Sequence, residues 1–294
     1  MPTDHVQRGQ EIYLLGGNAS LEMARLTILE RLKFETMGGL FVELEDDFSR
    51  CTRVLDLVSR AATWGISVAQ AHSDLEVACM DHPGVLMDHA QAQAQVLGLE
   101  NIHFFDLPED ITELDFPDNY FDLLNASHLF SFVLPHQWSA FLKECMRITC
   151  PGGYVRFIES EWGMTNSPAV EQLAALFLHG LKKRGQGLSP DGRNLGVMTM
   201  LGYLLKQAGW QGVQRRAFVT DYLTGPAEPS DPQAKVQLML NVMLTSILEQ
   251  HMATQQEIDA LSAQAIVEVG QEDFQGLVLS VSFCAQKSLV PSPI

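Results

Sequence analysis

Between residues 53 and 160, short apolar runs alternate with longer stretches of helical spacing, and this narrows the possible folds more than any other feature. Val54–Val58, Glu76–Met80, Asn101–Phe105, Phe121–Ala126 and Tyr154–Glu159 each read as a strand. The intervals read as helices: roughly Thr63–His72, a second from Pro83 to Leu97-Gly98, and a third from Pro135 to about Ile148. Apolar strands separated by helices form right-handed βαβ units, whose parallel sheet is covered on both faces. A ligand of such a sheet sits at the carboxyl ends of its strands. The segment Val54-Leu55-Asp56-Leu57-Val58 followed by Ser59–Gly65, a strand and turn running into a helix, is therefore where function is expected.

The flanks are more helical. Ser20 can cap a helix carrying Leu21, Ala24, Leu26, Ile28, Leu29 and Leu32, and Met37-Gly38-Gly39-Leu40 interrupts it. Glu43–Asp47 is a polar link. Residues 1–50 thus read as an N-terminal helical cap, and 51–294 as the α/β domain, with helical insertions around 165–210 and 232–269. Ser167-Pro168 opens one inserted helix, Leu195–Ala208 forms another, and Val213–Val219 and Leu277–Phe283 read as late strands. Asp231-Pro232 precedes a Met-rich stripe (Val236, Met239, Leu240, Met243, Leu244, Ile247), and Thr254 with Glu257 matches a capping box. The 232–269 helices can form a substrate lid, a homodimer face or an ordinary layer packed on the sheet.

The 294 residues are ample for one large domain. A balance of 19 Lys+Arg against 36 Asp+Glu gives a net charge of −17, which argues against nucleic acid or an anionic membrane as partner. Five cysteines without ligand spacing fit reduced thiols, and no apolar stretch is long enough to span a bilayer, so a soluble, cytoplasmic protein is expected. His72, His82, His89, His103, His136, His179 and His251 show no ligand spacing, and no metal is expected.

Several landmarks then occur in a fixed order. They are the Asp56 loop, Asp81 after the second strand, Asp110-Ile111 followed by Leu114-Asp115-Phe116-Pro117-Asp118, and Pro151-Gly152-Gly153 before the fifth strand. Over roughly residues 50–160 this order resembles the class I methyltransferases that use S-adenosylmethionine (SAM), in their bacterial small-molecule form. The resemblance implies an α/β, Rossmann-like fold with a mostly parallel seven-stranded sheet, helices on both faces and a helical cap or insert. It also implies SAM as cofactor. Asp81 would accept the ribose hydroxyls, Asp110 would meet the adenine amino group with Ile111 against its face, and Asp56 would orient the loop or the aminoacyl end. The chain departs from the family at three loop glycines, replaced by Val58, Arg60 and Ala62. Glycines there permit positive φ and close approach of backbone N–H groups to the ligand. Arg60 can fill the aminoacyl end, fold outward, pair with Asp56 or Asp81 inside an empty pocket, or hold the SAM carboxylate, so cofactor binding is retained, weakened or lost according to how these side chains lie.

Methyl transfer to an acidic group needs a held acceptor and a base. His128 after the fourth strand is the first candidate, with Glu159 and Glu161 after the fifth. Tyr13, Met37 and Trp162 are candidates to line a pocket for a small apolar metabolite. Three readings follow: a SAM-dependent methyltransferase, a descendant that catalyses a SAM-independent cyclisation or rearrangement in secondary metabolism, and a non-catalytic relative that binds a partner protein. Fold does not choose between them.

Overall fold

The computed structural model describes residues 30, 33–44, 50–58, 61–221, 240, 243, 244 and 246–289. Five parallel strands build the centre of one sheet: β1 (Arg53–Leu57), β2 (Glu76–Asp81), β3 (Ile102–Asp106), β4 (Phe121–Ser127) and β5 (Thr149–Ser160). β6 (Met164–Thr165), β7 (Gln211–Thr220) and β8 (Gly276–Gln286) are added antiparallel. The order is β3-β2-β1-β4-β5-β8, with β7 beside β8. Succession runs outward in one direction from β1 to β3 and in the other from β4, so the sheet has a topological switch between β1 and β4. In sheets of this kind ligands bind at the carboxyl ends of the strands at that point. The eighth strand, absent from the sequence reading, is β6; two residues are too few to show a period.

Among the described residues six helices are fully bounded: α1 (Thr63–Ala71), α2 (Val85–Val96), α3 (Trp138–Ile148), α4 (Pro168–Lys183), α5 (Val197–Gln207) and α6 (Gln255–Val269). α4 and α6 start where their caps predict. Val170 N donates to Ser167 Oγ at 3.1 Å, and Thr254 and Glu257 form a reciprocal capping box. α3 starts three residues beyond Pro135, because Leu134–Gln137 first closes a turn in which Gln137 N donates to Leu134 O at 2.9 Å. β5 is longer than expected. Its pairing with β4 jumps from Phe121↔Thr149 to Leu123↔Tyr154, and Pro151-Gly152-Gly153 forms the bulge. Gly153 is required there, since a Cβ would lie 2.8 Å from Asp122 O.

One face of the sheet (Leu55, Leu57, Leu124, Val155, Phe157, Phe283) packs in a single apolar cluster with side chains of α3–α6. The other (Val54, Val77, Cys79, Leu123, Ile158, Cys284) packs with Trp64 and Ile66 of α1 and with Phe34, Met37 and Leu44 of the N-terminal segment. Residues 33–37 are helical and turn at Gly38-Gly39. The Ser20 cap and the Asp231-Pro232 signal lie outside the described residues. Among the described residues no helix is long and apolar enough to cross a membrane.

Candidate functional site

The turn after β1 is held by Val58 N, which donates to Met80 O at 2.7 Å. Val58 has φ 58° and Ala62 φ 47°, the left-handed backbone for which glycine is the usual residue. Both side chains are buried, Val58 in the cluster on the α3 side of the sheet and Ala62 with α1, whose N-cap it forms. At two of the three replaced positions the chain therefore keeps the backbone a glycine would adopt and turns the added Cβ into the core. Arg60 lies outside the described residues.

Asp56 supports this turn from below. Its Oδ2 accepts from Gly65 N at 3.1 Å and its Oδ1 from Asn125 Nδ2 at 2.8 Å. Burial pushes its carboxyl up to about 7, although the Asn125 and Gly65 hydrogen bonds pull the other way. Gly65 lies in the first turn of α1, and a Cβ there would overlap Cys79 Sγ.

Asp81 stands at the tip of β2, buried, and its Oδ1 accepts from His82 N at 2.7 Å. The His82 ring stacks on Phe132 with centroids 5.5 Å apart, and burial favours its neutral form. Beyond β3, Asp110 accepts from Thr112 Oγ1 at 2.7 Å and Thr112 N at 2.9 Å. These bonds hold its carboxyl below the usual range. Asp110, Ile111 and His82 share a cleft of about 1120 Å³ that is lined also by Leu107, Phe132, His136, Arg184 and Gln186.

His128 and Glu159 are neighbours because β4 and β5 pair. His128 N donates to Ile158 O at 3.0 Å, and the next amide, Leu129 N, donates to Glu159 Oε1 at 2.6 Å. His128 is a third left-handed residue, φ 57°, leading into a 3-10 turn at Leu129–Ser131. Glu161 is elsewhere. Its carboxylate accepts from Leu195 N at 2.8 Å and Gly196 N at 3.2 Å, which anchors the start of α5, and burial raises its pKa. Trp162 packs on Phe177 of α4 at 4.7 Å. Met37, expected to line a pocket, is buried in the core on the α1 side, its Sδ accepting from Arg156 Nη2 at 3.8 Å. Tyr13 lies outside the described residues. Among the described residues no group of three or more His, Cys, Asp or Glu is placed to hold a metal ion.

Sequence reasoning missed Asn125, Arg156 and Glu43. Arg156 is fully buried within β5. Its Nε donates to Glu43 Oε2 at 2.7 Å and its Nη1 to Asn125 Oδ1 at 2.8 Å. The available signal was an Asn and an Arg at inward positions of otherwise apolar strands, where polar side chains require partners.

Residues 54–153 match the family profile described as "Methyltransferase domain". Over this stretch, about a third of the chain, the sequence is similar to a methyltransferase domain. No curated protein sequence matches the chain. Among solved structures, a SAM-dependent methyltransferase from Methanosarcina mazei is similar at TM-score 0.49 and 17% identity, over 81% of this chain and 93% of that one. Phosphoethanolamine N-methyltransferase 2 of Haemonchus contortus, in complex with phosphomonomethylethanolamine and S-adenosylhomocysteine, gives 0.48 and 13% over 88% of this chain. The chain spans 57% of that enzyme's length. The [4+2]-cyclase SpnF gives 0.46 and 16%, over 90% of this chain and 94% of that one. Likenesses this distant say nothing of substrate or reaction. The matched stretch contains the turn after β1, Asp81, Asp110 and Ile111; Arg184–Gln186 and Glu249-Gln250, which also line the cleft, lie outside it.

Proposed function

We propose that the chain binds SAM at the carboxyl ends of β1 and β2 and transfers its methyl group to a small molecule in the adjoining cleft. The observation that carries this is the turn after β1. Its backbone keeps left-handed geometry at Val58 and Ala62 while both side chains point into the core, so neither blocks the approach of a ligand to the main chain. Asp81 would accept the ribose hydroxyls, with Asp110 and Ile111 at the base. SAM supplies a methyl group on a sulfonium, and His128 with Glu159 would take the acceptor's proton. His136, Arg184 and Gln186 stand in the cleft beside Leu107, Ile111 and Phe132, which supports an acceptor with both apolar and polar parts.

Calorimetry with S-adenosylhomocysteine tests the cofactor half. Wild type should bind, and Asp81→Asn should bind about tenfold or more weakly, the scale of one or two lost charge-assisted hydrogen bonds. A wild type that gives no heat at millimolar ligand would end this reading. A second reading, conversion of a substrate without SAM, is favoured by Asp81, which is buried and already accepts from His82 N at 2.7 Å. Turnover of a substrate with no SAM added, alongside silent calorimetry, would decide for it.

A further inference from the structure

Four hydrogen bonds run without a break through the middle of the sheet. Glu43 Oε2 accepts from Arg156 Nε at 2.7 Å, and Arg156 Nη1 donates to Asn125 Oδ1 at 2.8 Å. Asn125 Nδ2 donates to Asp56 Oδ1 at 2.8 Å, and Asp56 Oδ2 accepts from Gly65 N at 3.1 Å. The members come from the N-terminal segment, β5, β4, β1 and the first turn of α1. All lie on the sheet face that carries the N-terminal segment. Arg156 is fully buried and the Glu43 side chain is 4% exposed. An arginine in that position is tolerated only when its donors are used, and here the acceptors are the segment and the strand beside the turn. The Asn125 amide is the link. Its oxygen faces the cation and its nitrogen the carboxylate, so one orientation makes both bonds, and reversing it would break both.

We propose that Asn125 and Arg156 are positioning residues that act through Asp56 on the backbone at Gly65, so that docking of the 33–44 segment and the geometry of the turn after β1 are set together. This goes beyond cofactor recognition and depends on it only in that the turn is the one that would meet the ligand. The charged groups acting on Asp56 are Glu30 and its ion-pair partner Lys33 from the N-terminal segment, with Arg156 behind Asn125; the neighbouring Cys79 thiol faces both Asp56 and Asp81.

Amide exchange and pH titration of the Gly65 N–H, read by NMR, test it. In wild type the Gly65 resonance should titrate with Asp56, near its carboxyl value of about 7. Asn125→Leu removes a donor that favours the charged carboxylate, so the midpoint should move up. Glu43→Gln, at the far end of the relay, should speed Gly65 exchange severalfold while leaving α2 amides unchanged. In a double-mutant cycle on Gly65 exchange, Glu43→Gln should have less effect in the Asn125→Leu background than in wild type. Leu123→Ala, a plain core truncation, should leave the midpoint in place. Additive effects, or a Gly65 midpoint unmoved by Asn125→Leu, would overturn the proposal. If Asn125→Leu does not fold, Glu43→Gln alone decides: unchanged Gly65 exchange overturns the relay. These readouts need no ligand, so silence towards S-adenosylhomocysteine would count against SAM binding and leave the relay standing.

Discussion

Val58 and Ala62 carry side chains on backbone that most residues avoid, and the two positions balance differently. Left-handed geometry costs an L-residue roughly 1–2 kcal/mol. Burying a valine side chain completely returns about 1.5–3 kcal/mol, whereas one methyl group is worth about 0.8. A glycine also loses about 0.5–1 kcal/mol more chain entropy on folding. Ala62→Gly should therefore leave stability within about 0.5 kcal/mol of wild type, because relief of strain offsets the lost methyl and the added entropy. Val58→Gly should destabilise by about 1 kcal/mol, since packing outweighs strain there. Urea unfolding measures both, and a Val58→Gly protein more stable than wild type would show that the turn is held by something other than this burial. The sequence revealed that glycines were missing at 58 and 62 but not where a Cβ would point, because that direction depends on the φ adopted under tertiary constraint.

The junction of β1, α1 and β2 packs most closely at Gly65. Its Cα faces Cys79 Sγ and lies beside Asp56 Oδ2, so α1 can approach the sheet only with hydrogen at that position. Gly65→Ala should destabilise by about 1–3 kcal/mol, the usual cost of overpacking. Cys79→Ala should recover much of the loss by vacating the space, a non-additivity that thermal unfolding of the two single variants and the double variant would measure. If Cys79→Ala gives no rescue, the loss comes from the Asp56 hydrogen bond instead. Elements with local signals were legible from sequence. The Ser167 and Thr254 caps fixed α4 and α6 because a cap is written within four residues. The βαβ alternation gave the central strands, since periodicity survives tertiary context there. What was not legible depends on contacts far apart in the chain. The Asn125–Arg156–Glu43 relay joins residues 31 and 113 positions apart, and Met37 is drawn under Arg156 rather than into a cleft wall. Glu161 looked like a site acid by its place after β5, yet its oxygens are engaged by Leu195 and Gly196, more than thirty residues on.

At the scale of the molecule, sheet order collects carboxylates at one edge: Asp81 at the end of β2, Asp106 beside it in register at the end of β3, and Glu159 near the end of β5. The net charge of −17 adds to the same sign of field. Such a field favours a cationic ligand and is screened by salt, with a Debye length of about 10 Å at 0.1 M. SAM and S-adenosylhomocysteine differ in this respect. Both carry an ammonium and a carboxylate, but only SAM has the sulfonium, so it bears one net positive charge where its product is neutral. Raising NaCl from about 0.02 to about 0.5 M should therefore weaken SAM binding severalfold while leaving S-adenosylhomocysteine nearly unaffected. The ratio of the two dissociation constants, measured by calorimetry across that range, reports the field at the site directly. Parallel salt dependences would mean that the negative charge lies on surfaces remote from the crevice, and that the acids at its edge are neutralised by their neighbours.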